Sequence, residues 1–103
     1  MEMLKVQKVA KRRAVGVREQ GILGVVASGN LEVLFERVVP GTACEIEIAT
    51  PMKGYDHIWQ AVLQDFIDRC SPGGLRITIN DGGARPDTVA LRLMQGVAMM
   101  EAE

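Results

Sequence analysis

The sequence predicts an α+β fold, a two-layer sandwich in which a mainly antiparallel sheet of about four to five strands carries two helices on one face. Two observations predict it. Several short segments alternate apolar and polar residues, which is typical of strands with one buried face, and two later segments repeat apolar residues every three or four positions, which is typical of amphipathic helices. The predicted order is three strands, a helix, a strand and a helix, with one further strand possible in front.

Length and composition predict one domain. The chain has 103 residues, and its apolar fraction of 48% supplies a core and argues against disorder. Its 12 basic and 13 acidic residues give a net charge of −1, which argues against nucleic-acid or membrane-surface binding. The sequence has no apolar run of transmembrane length, no apolar signal-peptide core and only two cysteines, so we expect a cytoplasmic protein with reduced thiols.

Residues 1–18 are a basic lead-in to this single domain. Half of the basic residues lie there, namely Lys5, Lys8, Lys11, Arg12, Arg13 and Arg18. Two interpretations are open, an arm that docks on an acidic partner and a solvated, partly ordered strand, and the pattern favours the second. Whether this segment is flexible stays open at this point.

Residues 21–37 predict a hairpin with Ser28-Gly29-Asn30 at its tip. Ser-Gly and Gly-Asn are turn dipeptides of two-residue hairpin loops, and the incoming strand is expected to continue through Val26. A serine at such a tip exposes its hydroxyl on a short loop, which suits covalent attachment, although an ordinary turn serine is the commoner case. No histidine or acid lies nearby in sequence to activate it as a nucleophile.

The next two elements are the clearest in the chain. Residues 43–50 alternate so that Cys44, Ile46 and Ile48 share one face, which predicts a half-buried strand in which Cys44 is a small apolar residue. Residues 55–70 then predict an amphipathic helix that ends at a Ser-Pro-Gly-Gly sequence. Its apolar stripe is Ile58, Val62, Phe66 and Cys70, widened by Trp59, Leu63 and Ile67.

A strand and a helix complete the chain. Residues 75–80 alternate as a strand, and a glycine-rich loop leads to a helix that begins at Pro86 or Asp87 and ends near Met100. That helix is apolar nearly all round, which indicates either a second contact surface or complete burial.

The residues by themselves indicate no catalytic site and no metal site. His57 is the only histidine, and no partners stand at a metal-ligand spacing from it. The Gly82-Gly83 loop before the last helix has the position of a phosphate-binding loop but matches neither GxGxxG nor a P-loop, and Asp81 is expected to form a turn or cap there.

Several motifs together resemble a known family. The stretch Gly24-Val-Val-Ala-Ser28-Gly-Asn-Leu-Glu-Val-Leu34, then Trp59, then Ile77-Thr-Ile-Asn-Asp81-Gly-Gly-Ala-Arg-Pro86 and finally Val89-Ala-Leu-Arg-Leu93 are similar to the delta subunits of malonate decarboxylase, which are its acyl carrier subunits. The similarity spans about residues 21–98 and leaves the first twenty residues outside it.

The resemblance implies a carrier that is not itself catalytic. By this likeness Ser28 carries phosphoribosyl-dephospho-CoA through a phosphodiester, with Gly29 and Asn30 forming the turn that presents it. A prosthetic-group transferase attaches that group, whose thiol holds acetyl and malonyl thioesters. Acyltransferase and decarboxylase subunits then convert malonate to acetate and carbon dioxide. The family pattern usually has glycine before the serine and aspartate after the glycine, where this chain has Ala27 and Asn30.

Two alternatives stay open beside the malonate decarboxylase carrier. One is a citrate-lyase-type acyl carrier subunit, which uses a similar prosthetic group. The other is a non-catalytic ligand-sensing or interaction domain of the same architecture, in which the glycine-rich loop binds the ligand. Only the carrier hypotheses predict a covalent modification of Ser28.

Overall fold

The computed structural model of this chain describes residues 1–102. They form β1 (Glu2–Val9), β2 (Gln20–Gly24), β3 (Leu31–Arg37), β4 (Ala43–Thr50), α1 (Asp56–Arg69), β5 (Leu75–Asp81) and α2 (Pro86–Glu101). The sheet order is β1-β4-β5-β3-β2, with β4 and β5 parallel and the other neighbours antiparallel. The predicted α+β class is confirmed, and the possible strand in front is present as β1. No helix within residues 1–102 has the length and apolarity to cross a membrane.

Strand alternation builds the core between the sheet and the helices. On β3 the side chains of Leu31, Val33 and Phe35 are buried, while the residues between them face the other side of the sheet. Strands β4 and β5 alternate in the same way, so three neighbouring strands present one continuous apolar face. Both helices pack on that face, as the sequence predicts. This packing removes their apolar stripes from water.

The helices differ from the predicted stripes in one respect. Helix α1 buries Trp59, Leu63, Phe66 and Ile67, so its buried stripe is turned by about one residue from the predicted one, and Ile58 and Val62 are only half-buried. Helix α2 buries the predicted set of Val89, Leu93, Val97 and Met100.

Helix α2 also has apolar side chains that are exposed to solvent. Leu91 is 52% exposed and Met94 is 41% exposed. Of the two interpretations that its composition left open, complete burial is therefore wrong, and part of its apolar surface is free for a further contact.

A crossing segment, residues 10–19, joins the two edges of the sheet. It leaves β1 at one edge and enters β2 at the other, so it passes the starts of β4 and β5 and the end of β3. Backbone hydrogen bonds attach it on the way, from Ala10 N to Thr42 O at 2.9 Å and from Ala14 N to Gly73 O at 2.8 Å.

Two arginines hold the crossing segment in place. The guanidinium of Arg37 donates to the carbonyl oxygens of Ala14, Val15, Arg18 and Met100 at 2.6 to 3.1 Å. Arg13, within the segment, donates to the carbonyls of Val39 and Gly41. Part of the basic charge of the lead-in therefore binds the protein's own backbone.

Candidate functional site

The loop that carries Ser28 comprises residues 25–30 and joins β2 to β3. The predicted hairpin is present, but the predicted two-residue tip is wrong. Strand β2 ends at Gly24, which has a φ of +81°, and a Cβ there would overlap the carbonyl oxygen of Leu31. The chain therefore leaves the ladder early, and Val25 and Val26 lie in the loop with 56% and 59% of their surface exposed.

A tight turn at residues 27–30 presents the serine. The amide of Asn30 donates to the carbonyl of Ala27 at 2.9 Å, and Gly29 has a φ of +75° at the third position, as a type II turn requires. Ser28 is exposed, and a Cβ built on Gly29 would find no atom within 4 Å. The turn is therefore open to solvent around Gly29, and Ser28 is accessible from outside the protein.

Gly82 supports this turn from behind. Its carbonyl accepts from the amide of Gly29 at 2.9 Å, and its own amide donates to the carbonyl of Asn30 at 2.8 Å. A Cβ at Gly82 would overlap the carbonyl oxygen of Ala27. The two backbones can therefore lie this close only because residue 82 has no side chain.

A buried carboxylate shapes the glycine-rich loop. Asp81 is 5% exposed and accepts from the amides of Gly83 and Ala84 at 3.1 and 2.8 Å and from the hydroxyl of the fully buried Thr50 at 2.8 Å. The predicted turn or cap role of Asp81 is confirmed. Because the amides of residues 82 to 84 all have partners within the protein, this loop does not offer them to a phosphate, and the phosphate-binding hypothesis is not supported.

An apolar groove of about 280 Å³ opens on the other side of the glycine-rich loop. It lies between the first turns of α1 and α2, and its walls are Met52, Tyr55, Ile58, Trp59, Val62, Asp81, Gly83, Ala84, Arg85, Pro86 and Val89. Leu31 pairs with Asp81 across β3 and β5, so the Ser28 loop enters the sheet at the same end. The groove and the serine are thus neighbours on one end of the molecule.

The other reactive groups within residues 1–102 do not form a second site. Cys44 is fully buried, as predicted, and burial, with a smaller contribution from Glu45, raises the pKa of its thiol to about 12, so the thiol is protonated at neutral pH. Burial also raises the pKa of the half-buried Cys70. His57 is exposed in the first turn of α1, and residues 1–102 contain no group of three or more His, Cys, Asp or Glu side chains placed to hold a metal.

The structure brings Ser28, Gly29 and Asn30 together on one turn. What the sequence did not predict is the support, namely the contact with Gly82 and the buried pair of Thr50 and Asp81. The only local signals for it are the glycine pair and an acid at the end of an apolar strand.

Comparison with known proteins identifies the relatives of this chain. The family described as "Malonate decarboxylase delta subunit (MdcD)" matches residues 18–100. The malonate decarboxylase acyl carrier protein of Bradyrhizobium diazoefficiens is 56% identical over 97 residues, which are 94% of this chain and 92% of that protein. The protein of the same description from Xanthomonas campestris is 48% identical over 101 residues, 98% and 96% of the two chains.

A solved structure has the same fold. One chain of a Pseudomonas malonate decarboxylase hetero-tetramer in complex with malonate matches with a TM-score of 0.85 and 36% identity, over 97% of this chain and 99% of that chain.

Proposed function

Because the chain belongs to the malonate decarboxylase delta subunit family and is thus an acyl carrier subunit rather than a catalytic one, we propose that Ser28 is the residue that carries its prosthetic group. The proposed group is phosphoribosyl-dephospho-CoA, bound through a phosphodiester. When bound, it supplies a thiol on which acetyl and malonyl groups are held as thioesters while malonate is converted to acetate and carbon dioxide.

The observation that supports this assignment most is the construction of the Ser28 turn. Ser28 is exposed, the adjacent Gly29 has open space around its Cβ position, and the backbone of the two residues that follow Ser28 is bound to Gly82 by two hydrogen bonds. A rigid base for a long arm keeps its far end at a high effective concentration near two active sites in turn.

The attachment reaction needs groups from two proteins, this chain and the transferase. A P–O bond forms to Ser28 Oγ while the bond from that phosphorus to the leaving group of a phosphoanhydride donor breaks. The hydroxyl proton must go to a base, and the neighbours Ala27 and Gly29 supply none. The prosthetic-group transferase therefore contributes the base, and this chain contributes an accessible and correctly oriented hydroxyl.

The proposed partners are the acyltransferase and decarboxylase subunits of malonate decarboxylase. The exposed side chains of Leu91 and Met94 on α2 support a role in assembly, because apolar and methionine side chains are common in the centres of protein interfaces. The citrate-lyase-type carrier finds no support in the family match, and neither does the ligand-sensing domain.

The test is the intact mass of the protein after co-expression with its transferase and the enzymes that make the donor. The wild-type chain is expected to gain one phosphoribosyl-dephospho-CoA, and Ser28→Ala is expected to gain none. Ser71, the one other serine, gives a matched control, because Ser71→Ala should be loaded like the wild type.

An unmodified wild-type chain, in the presence of a transferase that loads another carrier, would overturn the assignment. So would an adduct that persists in Ser28→Ala and disappears in Ser71→Ala.

A further inference from the structure

We propose that the apolar groove between α1 and α2 is a resting site for the thioester-bearing end of the arm on Ser28. This inference rests on the proposed function, since it requires an arm at that residue. The groove would hold the acyl group out of water while the carrier is between the active sites that it serves.

The first argument is continuity. Gly29 is hydrogen-bonded to Gly82, and the two residues that follow Gly82 form part of the groove wall. Consecutive Cα atoms are about 3.8 Å apart, so Ala84 lies within about 8 Å of Gly82. An arm that starts at Ser28 therefore has to pass only one loop to enter the groove.

The second argument is chemical. The walls are mostly apolar and include the rings of Tyr55 and Trp59, which suit a thioester sulfur and a methyl group. The carboxylate of Asp81 already holds three hydrogen bonds, so it is occupied by the protein itself. The other charged wall residue is Arg85, whose side chain is 83% exposed at the rim and forms an exposed ion pair with Asp87 at 3.5 Å, so a phosphate of the arm would compete with that carboxylate for it.

The third argument is size. At about 280 Å³ the groove lies just below the usual range for small-molecule pockets, which is about 300–1,000 Å³. It can hold a small acyl thioester and the atoms next to it but not a whole nucleotide. The charged half of the arm is then expected to stay in water, near Arg85.

Trp59 offers a direct readout, because it is the single tryptophan of the chain and forms part of the wall. The experiment compares apo-protein, holo-protein and acetylated holo-protein by NMR. The indole N–H of Trp59 and the methyl groups of Val89 are expected to shift on loading and acetylation. The second readout is cleavage of the acetyl thioester by hydroxylamine in the isolated carrier.

Two variants and a control make the test specific. Ala84→Phe fills the groove from its wall, and Ala61→Phe adds the same side chain at an exposed position of α1 outside the groove. If the arm rests in the groove about two-thirds of the time, cleavage should be about threefold faster in Ala84→Phe than in the wild type and unchanged in Ala61→Phe. Should Ala84→Phe fail to fold, Ile58→Gln makes the half-buried wall polar with less steric change.

The outcomes separate the two proposals. A Ser28 adduct with unshifted Trp59 and Val89 signals, and with equal cleavage in all variants, would overturn the resting site and leave the carrier assignment intact. A chain with no adduct at Ser28 would overturn both.

Discussion

At the scale of single residues, the missing side chain of Gly82 allows the glycine-rich loop to touch the backbone of the Ser28 turn. The two hydrogen bonds across this contact are 2.8 and 2.9 Å long. Each is worth roughly 0.5–1.5 kcal/mol, and together they fix the turn against the end of β5.

Gly82→Ala is therefore expected to disturb the turn. Its Cβ would overlap the carbonyl oxygen of Ala27, so the loops must separate, and we expect a loss of about 1–3 kcal/mol in the free energy of unfolding. We also expect slower loading of Ser28. Urea denaturation and the initial rate of adduct formation measure the two effects.

The control for this substitution is Gly41→Ala. Gly41 has a φ of +68° and open space around its Cβ position, so the exchange costs only backbone strain of about 1–2 kcal/mol. Loading of Gly41→Ala at the wild-type rate is expected, and an equal loss of loading in both variants would contradict the role given to Gly82.

Burial of the Cys44 thiol is expected to make the free energy of unfolding depend on pH in the alkaline range. The folded chain keeps this thiol protonated up to a pKa of about 12, whereas the thiol of the unfolded chain titrates near its ordinary value of 9.0. Above pH 9 the unfolded state therefore binds fewer protons than the folded state, and the free energy of unfolding falls as the pH rises towards 12. Below pH 9 this contribution is fully present.

The measurement is urea denaturation of the wild type and of Cys44→Ala at several pH values between 8 and about 11, a window set by these two pKa values. The variant should be less stable at pH 8, because it leaves a small cavity, and the difference should shrink as the pH rises. A constant difference across the series would show that the thiol does not titrate differently in the two states.

At the scale of elements, helix α2 approaches β3 through Gly96. A Cβ at that position would overlap the ring of the fully buried Phe35. Alanine would normally favour the helix by about 1 kcal/mol over glycine. Here the overlap costs about 1–3 kcal/mol and has to be weighed against that gain.

Gly96→Ala is expected to destabilise the fold by up to about 2 kcal/mol, because steric overlap with a fixed aromatic ring outweighs helix propensity. A double-mutant cycle with Phe35→Leu measures the coupling by chemical denaturation. The second substitution should remove most of the penalty. Increased stability of the single variant would refute the close packing of α2 on β3.

The local pattern of apolar and polar residues predicted most of the helices and strands. Strand β4 occupies residues 43–50 as predicted, and α1 and α2 begin and end within about one residue of their predicted limits. Their apolar periods and stop signals are both contained in a short stretch of chain. The Ser28 loop was predicted less well, since Val25 and Val26 have the composition of a strand but lie after a glycine that leaves the ladder.

At the scale of the whole molecule, the sheet order could not be predicted. Strands β1 and β2 are separated by only the crossing segment in sequence, yet they occupy opposite edges of the sheet. The groove depends on this arrangement too, because its walls come from both helices and two loops. Such contacts join residues far apart in the chain, and periodicity carries no information about them.

Arg37 connects three distant parts of the chain, and its loss should affect the whole fold. Four carbonyl groups, three in the crossing segment and one at the end of α2, accept from its guanidinium. We expect Arg37→Ala to lower the free energy of unfolding by about 2–4 kcal/mol, because four bonds to a charged donor are lost, two of them part-buried, at the carbonyls of Ala14 and Met100. Thermal and urea denaturation measure it.

Arg76→Ala is the comparison for this prediction. Arg76 is exposed and has a single ion pair, to Glu45 at 3.5 Å, so its removal should change stability by less than about 1 kcal/mol. Arg37→Lys should recover little, since a lysine cannot reproduce the planar set of donors. Equal effects of the two alanine exchanges would contradict the anchoring role of Arg37.

The contact between Gly82 and the Ser28 turn uses backbone atoms of residues 27, 29 and 30. Part of the support of the turn therefore comes from a distant part of the chain, in addition to the shape that Gly29 gives it from within. The contact does not use the side chains of Ala27 and Asn30, and the side chain of Asn30 separately accepts from the amide of Leu31. If Ser28 is the attachment site, we expect exchanges of these two side chains to change recognition by the transferase more than they change the support that Gly82 gives to the turn.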